Sequence, residues 1–111
     1  MDTSLDSYRS IIENVLTEYS KYPYSYGQIE RQLVFDRTRD HYLLMSVGWD
    51  KRRVHGSLVH IDLIDGKCWI QRDGTEDGIA YDLEAAGIPK DRIVLGFQPP
   101  EVRPVAGYAV A

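Results

Sequence analysis

Between Gln28 and Gln71 the chain reads QIERQLVFDRTRDHYLLMSVGWDKRRVHGSLVHIDLIDGKCWIQ, four apolar runs separated by three short polar reversals. Apolar residues recur at every second position, the period of a strand whose side chains alternate between two faces. In the first run Ile29, Leu33 and Phe35 oppose Gln28, Glu30 and Gln32. After Asp36-Arg37-Thr38-Arg39-Asp40, the residues Leu43, Met45, Val47 and Trp49 form a stripe opposite Tyr42, Leu44, Ser46 and Gly48. Asp50-Lys51-Arg52 turns the chain into a third run, Val54 to Ile64, where Val59, Ile61 and Leu63 oppose Leu58, His60 and Asp62. Asp65-Gly66 is the sharpest reversal, because glycine at the second position of a two-residue hairpin accepts positive φ without steric cost. Lys67 to Gln71 follows as a fourth strand. Reversals this short join antiparallel neighbours, since parallel strands need long crossovers.

Upstream, Leu5, Tyr8, Ile12, Val15, Leu16 and Tyr19 fall at steps of three and four, which places them on one stripe of a helix. The helix is expected from about Leu5 to Lys21, with Thr3 or Ser4 capping its start and Pro23 stopping it. Downstream, Ile79, Leu83 and Ala86 return to helical spacing over Glu76 to Ala86, and Gly87 and Pro89 end that segment. Ile93, Val94 and Leu95 suit one more short strand. From about Gln98 the chain is Pro-rich and aperiodic, a tail expected to order only on docking. The pattern therefore predicts an α+β fold, an antiparallel β-meander of four to five strands with two α-helices packed on one face. If the Leu43 stripe meets the helices, then Tyr42, Leu44, Leu58 and Trp69 form an apolar patch on the other side. A second copy or a partner should cover such a patch, so a homo-oligomer is expected.

A chain of 111 residues, 43% hydrophobic and 27% charged, suits one globular domain spanning residues 1–111. No apolar run reaches the roughly 18 residues of a membrane span, and Met1 to Asp6 does not resemble a leader, so no membrane association is expected. Cys68 has no cysteine partner within the chain, and the cytoplasm is the expected compartment. A formal charge of −4 gives no overall field toward phosphate, which counts against DNA binding by this chain alone.

Several residue groups merit a chemical reading. Asp73, Thr75, Asp77, Gly78 and Glu84 fit the spacing of an EF-hand calcium loop apart from the threonine. The residues before them read as a strand, not a helix, and Asp73-Gly74-Thr75-Glu76 also reads as a capping box for the second helix. His60 and Asp62 share one face of the third strand, and with His41 and His55 they make a metal site geometrically open; no metal or cofactor is expected. Cys68 reads as a half-buried small residue. The basic tip Lys51, Arg52 and Arg53 can touch phosphate or a partner, with Arg37 and Arg39 at the other reversal. Tyr22, Tyr24 and Tyr26 offer stacking rings or a loop packed over the core edge. No phosphate loop, nucleophile elbow or paired catalytic carboxylates stand out, so an enzyme is not expected.

The block Trp69-Ile-Gln-Arg-Asp-Gly-Thr-Glu-Asp-Gly-Ile-Ala80, continued by Ala86-Gly-Ile-Pro-Lys-Asp-Arg-Ile-Val-Leu-Gly-Phe97 and Pro99-Pro-Glu-Val-Arg103, resembles the signature of the XisI-like family. Trp49-Asp-Lys-Arg-Arg-Val-His-Gly56, Val59-His-Ile-Asp62 and the Ala-Val-Ala ending extend the resemblance over nearly the whole chain. The resemblance implies an accessory role in programmed excision of a DNA element in filamentous cyanobacteria, beside a companion, XisH, and a separate recombinase. It implies action through protein contact, with DNA reached only indirectly or weakly. Lys51, Arg52, Arg53, Pro99, Pro100, Arg103 and Tyr108 are the contacts expected for an XisH-like companion or nucleic acid.

Overall fold

The alternating stretch forms a sheet whose order follows the sequence, β1 (Gln28–Asp36), β2 (His41–Trp49), β3 (Arg53–Ile64) and β4 (Lys67–Asp73), each antiparallel to the last. The computed structural model describes residues 3–22 and 27–111, with Thr3 and Ser4 described in their backbone only. The side chains of Thr3 and Ser4, and with them their capping role, are not described, and the stop at Pro23 and the roles of Tyr24 and Tyr26 lie outside the described residues. Asp65 and Gly66 both take positive φ, 51° and 78°, as a two-residue hairpin requires. Asp36 Oδ1 fastens the β1–β2 turn by accepting from the Thr38 and Arg39 amides at 2.9 and 3.0 Å.

Helix α1 (Thr3–Ser20) lies against β1 and β2, and its Ile12 and Leu16 are fully buried. Each such side chain stabilises the fold by about 1.5–3 kcal/mol. Helix α2 (Ile79–Ala85) adds Ile79, Ala80 and Leu83 to the same core. It starts three residues later than the periodicity predicts. Gly78, at φ 92°, sits just before it in a conformation no helix contains. The expected capping box is absent: Asp73 Oδ1 accepts from Thr75 and Asp73 Oδ2 from the Ile79 amide at 2.8 Å, so Asp73 braces a loop before the helix. α2 carries the chain over to β5 (Ile93–Val94), which pairs with β4 in parallel, where a meander would continue antiparallel.

The core lies on the opposite face of β2 from the one the alternation suggests. Tyr42 and Leu44 are fully buried and Ser46 nearly so, whereas Leu43, Met45 and Val47 are only partly covered and Trp49 is 59% exposed. Two causes explain the inversion. Register sets Phe35 beside Tyr42 and Leu33 beside Leu44, so the apolar stripe of β1 selects the Tyr42 stripe. In β3 the pairing passes from Leu44↔Val59 to Met45↔Ser57, leaving Leu58 as a bulge residue packed against the core. A bulge reverses the facing of all residues beyond it, which period counting does not see.

The Pro-rich tail is docked on its own chain. The Ala109 amide donates to the Ile93 carbonyl at 2.9 Å, and Tyr108 packs against the core with its hydroxyl 2.5 Å from Glu84 Oε2. Arg103 stacks 5.2 Å over Trp69 and donates to the carbonyls of Gln98 and Leu95 at 3.1 and 3.3 Å, with a short 3₁₀ turn over Arg103–Ala106. The tail, expected to order only on docking, thus docks on its own chain.

Candidate functional site on the open sheet face

Both helices cover one face of the sheet and leave the other open. On that face Gln32, Glu30 and Gln28 of β1 stand beside Met45, Val47 and Trp49 of β2, with Val34 beside Leu43. Val34 is 48% exposed, so an apolar strip runs along β2 toward the β2–β3 turn. The expected apolar patch therefore exists with inverted membership. Of the residues foreseen for it, only Trp69 is on this face, beside Asp62 on β3 and beneath Arg103.

At the end of the strip, Lys51, Arg52 and Arg53 are all exposed. The turn is tight, with Lys51 at φ 61° and the Asp50 amide donating to the Arg52 carbonyl at 2.9 Å. The Arg53 guanidinium lies 5.4 Å over the exposed Trp49 ring, which joins a cation to an aromatic surface at the tip. Arg37, at the other reversal, is bound by both Glu13 oxygens at 2.9 Å, an ion pair that raises the arginine pKa and lowers that of Glu13.

The structure does not gather all the expected contacts. Pro99 and Pro100 are exposed, but they belong to the tail beside β5, with β4 between that edge and the β2–β3 hairpin. Arg103 and Tyr108 are engaged with their own chain. Burial and the Glu84 bond push the Tyr108 hydroxyl pKa upward. Cys68 is fully buried, not half-buried, and its thiol is pushed up to about 12 by desolvation, which disfavours the nucleophilic thiolate. The EF-hand spacing is otherwise engaged, with Asp73 bracing the loop and Glu84 holding Tyr108.

His41, His60 and Asp62 do come together, at the end of the open face remote from the basic tip. His41 pairs directly with Asp62 across β2 and β3, and His60 is two residues before Asp62. His41 Nδ1 and His60 Nε2 both approach Asp62 Oδ1, at 2.7 and 2.8 Å, and Gln71 donates to Oδ2 at 3.3 Å. Burial opposes ionisation of Asp62, but the bonds from the two histidines outweigh it and hold the carboxyl below its ordinary value. The bond to Asp62 raises the His41 pKa. Ligand atoms of the three residues lie within 4.8 Å of one another. His55 sits farther along β3, opposite Val47. Sequence placed His60 and Asp62 on one face; His41 needed the hairpin register. A further feature, without a signal in the sequence, is a groove of about 600 Å³ between α1 and the loop before α2, bordered by Glu18, Tyr22, Asp77 and Tyr81.

The family model described as XisI protein matches residues 1–110. A crystal structure of a XisI-like protein from Anabaena variabilis ATCC 29413 is 37% identical, with a TM-score of 0.87 over 96% of this chain and 99% of that one. The fdxN element excision controlling factor XisI from Anabaena variabilis ATCC 29413 is 34% identical, with a TM-score of 0.84 over 97% of this chain and 99% of that one. No curated protein matches the chain.

Proposed function

The chain belongs to the XisI family, and from that premise we propose that it is a cytoplasmic accessory protein in programmed excision of a DNA element, regulating through protein contact instead of catalysis. The similar Anabaena structure named as an excision controlling factor supports the excision role. The observation that carries the mechanism is an acidic body, net charge −4, whose basic residues 51–53 form an exposed tip against Trp49. A tip of this kind is too small to hold DNA by counterion release alone, but it suits an acidic, partly apolar patch on a protein.

The partner in this reading is an XisH-like companion. Lys51, Arg52 and Arg53 steer the encounter and Trp49 anchors it, with Pro99 and Pro100 as a second contact whose shape Arg103 and Tyr108 maintain. The apolar strip of Val34, Leu43, Met45 and Val47 suits a second copy of the chain, giving a homo-oligomer. The test is co-expression with the product of the neighbouring gene, followed by pull-down. Wild type should capture the companion, and Trp49→Ala combined with Arg52→Glu should lose it while circular dichroism stays unchanged. Equal capture by wild type and the variant would remove the tip from the account. If wild type captures no companion and binds DNA alone, the direct DNA-binding reading replaces this one.

A further inference from the structure

We propose that His41, His60 and Asp62 form a binding site for one divalent transition-metal ion of the zinc type on the open face of the sheet. The inference does not depend on the excision role. Two imidazoles from adjacent strands aim at the same carboxylate oxygen, His41 through Nδ1 at 2.7 Å and His60 through Nε2 at 2.8 Å. Two imidazole nitrogens gathered at one carboxylate oxygen supply the donor set of an open zinc site, in which three protein ligands leave a fourth position for water or another molecule. Among the described residues, this is the group of His, Cys, Asp and Glu whose ligand atoms come close enough to hold an ion.

The surroundings suit that role. All three residues stand on paired strands, where the sheet ladder fixes their spacing. Asp62 is mostly covered, at 13% side-chain exposure, whereas His60 at 32% and His41 at 48% keep an opening to solvent. Gln71 donates to Asp62 Oδ2, an outer contact that orients the carboxylate. Tetrahedral ligands around zinc lie about 3.3 Å apart, so each ring needs to withdraw by about half an ångström, within the reach of a half-exposed side chain. A neutral ring whose facing nitrogen donates to Asp62 carries its proton there, because an ionised carboxylate only accepts. On coordination each neutral ring moves its proton to the far nitrogen, His41 Nε2 and His60 Nδ1, and offers the vacated lone pair to the metal, so proton count is conserved.

The experiment uses the full chain after chelator treatment and desalting. Titration with zinc chloride by calorimetry should give one ion per chain, and cobalt(II) should develop visible d–d absorption that zinc abolishes. His60→Ala should weaken zinc binding at least ~10-fold, and Gln71→Ala by ~10-fold through the outer contact. His55→Ala, which removes the remaining histidine of the three in the chain, should leave affinity unchanged. Wild type without a cobalt band or zinc heat overturns the proposal. So does a loss with His55→Ala as large as that with His60→Ala. If His60→Ala fails to fold, the cobalt spectrum of wild type together with the His55→Ala comparison still decides.

Discussion

Asp40 ties together the first helix and the first turn. Its Oδ1 accepts from Arg9 Nε and from the Tyr42 hydroxyl, both at 2.8 Å, and its Oδ2 accepts from Arg9 Nη2 at 3.2 Å. The Arg9 bond, aided by Tyr42 and opposed by burial, lowers the Asp40 pKa below the ordinary carboxylate value. A depressed folded pKa gives stability that is present above the unfolded value and lost as pH falls through the folded one. Urea unfolding of wild type should therefore weaken as pH drops below the unfolded carboxylate value of about 4, and Asp40→Asn should flatten that decline. An unchanged acid slope in Asp40→Asn would remove Asp40 from the acid sensitivity. Neighbours on β2 give a second residue-scale test. Leu44→Ala should cost ~2–5 kcal/mol, because Leu44 is fully buried, whereas Leu43→Ala on the open face should cost less than half as much in the same assay. The reverse order would mean the core lies on the other face.

At the scale of elements, the four antiparallel strands and the turns that join them were legible because period and turn chemistry are local. Asp65-Gly66 fixed one hairpin, and the Asp36 to Asp40 reversal fixed another. The choice of buried face on β2 was not legible from β2 itself, since Leu43, Met45 and Val47 are as apolar as Tyr42 and Leu44. It follows from the partner strand, where Gln28, Glu30 and Gln32 mark the wet side. The Leu58 bulge and the parallel pairing of β5 arise from tertiary contacts, which leave no period in the chain. Of the candidate site, His60 and Asp62 could be read from strand alternation, and the basic tip from its charge. The docked tail could not, because proline-rich sequence looks the same whether it packs or not. Its contacts make a direct prediction: Tyr108→Phe, which keeps the ring and loses the Glu84 bond, should cost about 1 kcal/mol. A chain ending after Phe97 should lose considerably more, because the tail's bonds to Ile93 and Lys90 and the Tyr108 ring all go with it. A truncated chain melting at the wild-type temperature would contradict the docked tail.

At the scale of the molecule, the open face divides into three parts: an apolar strip, a basic tip with Trp49 at one end and the His41, His60 and Asp62 cluster at the other. In the proposed account the strip holds a second copy. Met45→Glu would place a charge in the middle of that contact, and light scattering should then report a monomer where wild type gives an oligomer. A wild type that is monomeric at high concentration contradicts the strip's role. The tip's part in association should appear as salt dependence, since exposed charges are screened beyond about 8 Å at about 0.15 M salt. In the proposed function this acidic chain reaches DNA through a protein, and that step decides the rest. Its most direct test is fluorescence anisotropy of a labelled duplex at about 0.15 M salt, titrated with this chain alone and then with the companion present. Anisotropy should not change with the chain alone, and with both proteins present it should rise beyond the value reached with the companion by itself. Saturable binding of the duplex by this chain alone, abolished by Arg52→Glu, would contradict it.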